Sequence, residues 1–143
     1  MKKILFAAIV VVIAATACNS ARRMVAGEES YIYNKEWKLT TLNGNAIDTI
    51  QHRSIPTLVF DKKNQRVSGN AGCNRMMGSF EISGMDNIAF SKLVSTLMAC
   101  ADMELEGNYM KTLEQVNKFS VTTTDNTLLL LKGDVVVARF IAK

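Results

Sequence analysis

With 143 residues, of which 48% are hydrophobic and 21% charged, the chain can bury one core and is too short for two domains. The formal net charge of +4 includes Lys2 and Lys3 at the extreme N-terminus. The remaining cations gather into no dense basic face, which excludes nucleic acid as an expected partner. Lys2 and Lys3 open a leader over residues 1–17, followed by an apolar run from Ile4 to Ala15 and the small residues Ala15-Thr16-Ala17. That run is shorter than the roughly 20 residues a membrane-spanning helix needs. Cys18, directly after it, resembles the cysteine of a bacterial lipobox and would be acylated to become the mature N-terminus. The alternative is an ordinary cleaved leader with an incidental cysteine.

Residues 18–34 lack apolar periodicity and are expected to form a flexible tether, so the folded domain is placed at 35–143. Trp37, Leu39 and Thr41 alternate with polar residues before an Asn43-Gly44 turn, which is a strand and its exit. Thr57–Asp61 follows Pro56 as a second strand, and Lys62–Gln65 turns the chain into a third from Arg66 to Asn70. Ser79–Ser83 and Asn87–Phe90 make a pair around Gly84. Leu105, Tyr109, Leu113 and Val116 recur at helical spacing, so a helix is predicted over about 102–117, with Asp102 as its cap and Glu104 and Glu106 solvated at its positive end. Phe119–Thr123, Thr127–Lys132 and Val135–Ile141 complete the strands. The class is α+β: a strongly curved antiparallel sheet or small β-barrel of about eight short strands with one helix.

Three cysteines are awkward in an exported protein, and lipid on Cys18 would leave Cys73 and Cys100 as a pair. Outside the cytoplasm they would oxidise to a disulfide; otherwise they are two buried thiols. Zinc lacks a close Cys-x-x-Cys pair, and the sole histidine, His52, lies in a polar loop. Met76, Met77, Met98 and Met103 cluster around the two cysteines, and core filling explains them better than Cu(I) does. No metal or cofactor is expected. No nucleophile elbow is present, and a carboxylate hydrolase would need Glu81 or Asp86 to meet Asp102, Glu104 or Glu106 in space. No catalytic residue is therefore assigned.

The most specific stretch is Gly69-Asn-Ala-Gly72-Cys73-Asn74-Arg-Met-Met-Gly78-Ser-Phe80, whose glycines imply unusual backbone angles or close approach. Together with Thr96-Leu-Met-Ala99-Cys100, an opening Trp37-Lys-Leu39 and a final strand reaching Phe140, it resembles the META domain, the family that includes HslJ-like heat-inducible envelope proteins. The resemblance implies a compact β-rich fold in exported proteins tied to stress response, and it implies no enzymatic activity or defined ligand. Gly69, Gly72, Cys73, Asn74, Gly78, Phe80, Thr96, Ala99 and Cys100 carry over as a structural motif.

The expectation is a non-catalytic envelope lipoprotein, a stress-related structural or interaction module. It would be a monomer, held by the Cys18 lipid on an outer membrane facing the periplasm, with an envelope protein as a possible partner. The alternatives are a binder of an apolar or peptide ligand in the barrel opening and, third, the carboxylate hydrolase.

Overall fold

The computed structural model describes residues 30–52, 54–100 and 103–143. The leader, Cys18 and Asp102 lie outside them. Among the described residues, nine strands follow in the order β1 (Glu36–Leu42), β2 (Asn45–Ala46), β3 (Thr57–Asp61), β4 (Arg66–Asn70), β5 (Arg75–Ser83), β6 (Asn87–Ser95), β7 (Lys118–Thr122), β8 (Thr127–Lys132) and β9 (Val135–Ala142), with helix α1 (Glu104–Gln115) between β6 and β7. Each strand pairs antiparallel with its neighbour, and β9 returns to β1 from Trp37↔Ala142 to Leu42↔Ala138, so the sheet bends into a ring.

The ring has one weak join. β6 and β7 share the single pair Asn87↔Lys118, and α1 packs against β6, which is otherwise paired on its β5 side. The helix thus stands where a longer β7 would have run.

Alternation along the strands turns Trp37, Leu39, Leu58, Phe60, Val67, Met76, Phe80, Leu128, Leu130 and Phe140 inward, where all are buried. Phe60 meets Phe80 edge-on with ring centroids 5.1 Å apart, a favourable aromatic geometry. Asn43 and Gly44, with φ of 48° and 83°, make the two-residue turn between β1 and β2. Within the stretch expected as tether, Ile32 and Tyr33 are buried, and the Trp37 indole donates to the Ile32 carbonyl at 2.8 Å. An N-terminal turn with two apolar side chains therefore plugs the end of the ring from which β1 departs.

The helix buries Glu106, Tyr109, Thr112 and Leu113. Its N-cap position is held by Met103, which makes no side-chain cap bond. The Tyr109 ring reaches Phe140 (centroids 6.3 Å), and its hydroxyl has no hydrogen-bond partner among the described residues. Burial pushes its ionisation well above 10.0, so the native state keeps this proton after the unfolded chain has released it. Stability should therefore fall as pH climbs above the unfolded tyrosine value near 10. Tyr109→Phe should remove that alkaline component and, by deleting an unpartnered buried hydroxyl, raise stability at neutral pH by about 1 kcal/mol. Urea unfolding of both proteins at neutral and alkaline pH measures both effects.

Candidate functional site

At one end of the ring, four residues (71–74) connect β4 to β5, and this is the heart of the glycine-rich motif. Gly72 has φ of +134°, a region side-chain-bearing residues avoid. A β-carbon there would meet Glu106 at ordinary van der Waals distance, 3.6 Å, so the requirement for glycine comes from the backbone angle. The Gly72 amide donates to Asn70 Oδ1 (2.6 Å), and the Ala71 amide to the Asn74 carbonyl (2.8 Å), closing the loop on itself.

Asn74 is fully buried and uses all of its hydrogen-bonding capacity. Its Oδ1 accepts from Thr96 Oγ1 (2.7 Å) and the Met98 amide (2.8 Å), while Nδ2 donates to the Met98 carbonyl (3.1 Å) and Glu106 Oε1 (3.0 Å). Glu106 Oε2 accepts the Asn74 amide (2.8 Å) and the Cys73 amide (3.2 Å). The expectation that Glu106 is solvated is wrong: it is 4% exposed. It shares a face with Tyr109 and Leu113 and reaches from the helix into the loop, which supplies the donors a buried carboxylate requires.

Cys73 and Cys100 are joined in a disulfide, with Cα atoms 6.2 Å apart. Segment 96–100 is thus attached twice, through Asn74 at Thr96 and Met98 and through the disulfide at Cys100. Replacing both cysteines with serine should cost about 3–4 kcal/mol and leave the far-UV circular dichroism unchanged, because the Asn74 bonds remain. A loss of secondary structure would show that the loop depends on the disulfide.

Gly78 lies inside β5, not in a loop. Between Met77↔Val94 and Ser79↔Ser91 the β6 strand carries an extra residue, with Lys92 at φ of 52°. This bulge drives Leu93 onto Gly78, where a β-carbon would come within 2.7 Å of Leu93 Cδ2. Phe80 enters the aromatic core, and Thr96 supplies a hydroxyl to Asn74. Ala99 and Cys100 are exposed. Of the four clustered methionines, Met76 alone is core; Met77, Met98 and Met103 are 47%, 57% and 43% exposed, which corrects the expectation of core filling for those three.

Among the described residues, Glu81 and Asp86 do not converge with Glu104 or Glu106. Glu81 and Asp86 occupy the far half of β5 and the turn after it, about 20 Å of strand from Asn74 and Glu106. His52 and Glu104 do line one cleft, of about 290 Å³, with Asn43, Ile47 and Asn108. Glu36 is held below the usual carboxylate range by a hydrogen bond from Lys143, and Asp61 by one from Asn64; both sit at the opposite end of the ring.

Among solved structures, the fold is similar to that of a protein from Burkholderia xenovorans determined by NMR, with a TM-score of 0.64 and 23% identity over 80% of this chain and 85% of that one. It is also similar to a DUF4847 family protein from Bacteroides vulgatus ATCC 8482, with a TM-score of 0.55 and 13% identity over 79% and 95%. At such identities the likeness establishes the fold alone. A search of curated proteins finds no significant match. The META domain family model matches residues 30–143, and the chain belongs to the META-domain family.

Proposed function

We propose that this chain is a lipid-anchored META-domain protein of the bacterial cell envelope that works without turnover, as a structural or interaction module. The observation that carries this reading is how the motif spends its polar groups. Asn74 and Glu106, the buried polar pair at its centre, direct their hydrogen bonds to loop backbone, to Thr96 and to each other. A catalytic pair would instead aim a base or acid at an open position. The ring interior is occupied by Trp37, Tyr109, Phe60 and Phe140, which favours an interaction module over a ligand carrier. The leader and lipobox-like Cys18 supply the envelope location, with Asn19 after the cysteine pointing to the outer membrane.

A deletion strain complemented with variants tests this. His52→Ala and Glu104→Gln, the titratable pair of the 290 Å³ cleft, should complement fully. Cys18→Ser should leave an unprocessed, unacylated precursor and fail. Loss of complementation by the cleft variants, with the protein folded and abundant, would point to chemistry in that cleft. Normal maturation of Cys18→Ser would sink the anchor.

A further inference from the structure

We infer that the outer wall of β4–β6, together with segment 96–98, is a membrane-docking face that lies on an anionic phospholipid bilayer. The wall carries an apolar group that is exposed among the described residues. Met77 and Val94 are cross-strand partners, 47% and 56% exposed, and Leu97 and Met98 follow at 98% and 57%. Such a run of exposed apolar side chains is uncommon without a partner.

The fold holds this group in place. Asn74 binds both the amide and the carbonyl of Met98, so the backbone under Leu97 and Met98 is fixed while their side chains point outward. The bulge at Lys92 shifts the alternation of β6, which turns Leu93 toward Gly78 and Val94 to the outside. Two local devices, one of them at a backbone angle unfavourable for lysine, thus end in outward apolar side chains.

The surrounding charge selects the occupant. Arg66, Arg75 and Lys92 are exposed on the same three strands, and Arg66 Nη2 lies 3.7 Å from the Met77 sulfur. The three strands carry these three cations against one acid, Glu81, which is exposed four residues beyond Met77 on β5. Past segment 96–98 the first acid among the described residues is Glu104, while Glu106 is turned inward to the loop and Asp102 lies outside the described residues. Aliphatic and thioether side chains flanked by cations suit the boundary between acyl chains and anionic headgroups. Leu97 is almost fully exposed and projects, whereas the anchors of a protein interface are typically aromatic or Arg side chains seated in pockets. The proposal rests on the lipid anchor only for the bilayer at hand.

Oxidation footprinting tests it. Protein purified from its membranes is reconstituted into vesicles of phosphatidylethanolamine, alone or mixed with phosphatidylglycerol, and treated briefly with hydrogen peroxide. The peroxide transfers one oxygen to a thioether, giving a sulfoxide and water, and mass spectrometry reads each methionine. Met77 and Met98 should oxidise about fivefold more slowly in the anionic vesicles, the factor that one basic residue near such a surface supplies. Met85, 66% exposed on the β5–β6 turn, is the internal control and should not change. Leu97→Ser, at a side chain that packs on nothing, should keep the melting curve and shorten the protection, as should Arg75→Gln.

Equal oxidation of Met98 in both vesicle types overturns the docking face. So does protection that appears in whole envelopes and not in anionic vesicles, because it assigns the face to a protein partner. The same digest reports the acyl mass on Cys18. An unacylated Cys18 with a protected Met98 retires the anchor and retains the face, so the two failures are distinguishable.

Discussion

Glu106→Gln should destabilise the domain by about 2–4 kcal/mol, although it changes one atom and keeps the shape of the side chain. The reason is the direction of the hydrogen bonds. All three groups that approach the carboxylate are donors: the amides of Cys73 and Asn74 on Oε2, and Asn74 Nδ2 on Oε1. An amide has one oxygen to offer, so in either orientation its NH2 faces an N–H group. Asn74 cannot rotate to relieve this, because its Oδ1 is held by Thr96 and the Met98 amide. A buried donor is then left without an acceptor at a site closed to water, the costly side of hydrogen-bond energetics. Glu104→Gln, two residues earlier and exposed, should stay within about 0.5 kcal/mol of the parent. Urea midpoints of the two variants give the contrast. Equal midpoints would mean that Glu106 does not hold the loop.

Most of the fold is legible in the sequence, because strand alternation and turn chemistry act locally. Thr57–Asp61, Arg66–Asn70 and Thr127–Lys132 are strands at the predicted bounds. The failures occur where a tertiary contact overrides the local signal. The stretch between the predicted strands, 71–78, reads as a glycine-rich loop, yet only residues 71–74 are loop and 75–78 belong to β5. Gly78 stays in β5 because Leu93, displaced by the bulge on β6, needs the space of its missing side chain. On the helix, Leu105, Tyr109, Leu113 and Val116 form a plausible stripe, but the buried face is rotated towards Glu106 and Thr112. A signal was present: Glu106 lies three residues before Tyr109 and seven before Leu113, on the same side. An acid at such a position requires partners, and nothing local in the sequence says that the partner is a loop more than thirty residues upstream. Asn74 is legible as a loop residue, and the full use of its amide by segment 96–98 is not.

Gly69→Ala should leave no folded protein to measure, whereas the same exchange at Gly107 should stabilise the domain. Gly69 sits in β4 opposite Met76, with β3 on its other side. A β-carbon there would fall on the carbonyl of Thr57, 2.7 Å from its carbon, and 3.3 Å from the Leu58 α-carbon. These are backbone atoms of a paired strand, so no side chain can swing aside. Room for a methyl group can come only from moving β4 away from β3, which opens the Val59–Ser68 pair and the bond from the Asn70 amide to Thr57 Oγ1. The 71–74 loop hangs on Asn70, so its contacts with Glu106 and with segment 96–98 would shift as well. A loss above about 4 kcal/mol is a large share of the 5–15 kcal/mol that hold a domain of this size together. Gly107 lies within α1 with nothing within 4 Å of an added β-carbon. There alanine removes backbone freedom from the unfolded chain and should gain about 0.5–1 kcal/mol. Soluble yield and thermal melting of the two variants, prepared side by side, decide the matter. A Gly69→Ala protein that melts within about 1 kcal/mol of the parent would mean that β3 and β4 do not approach as closely as described.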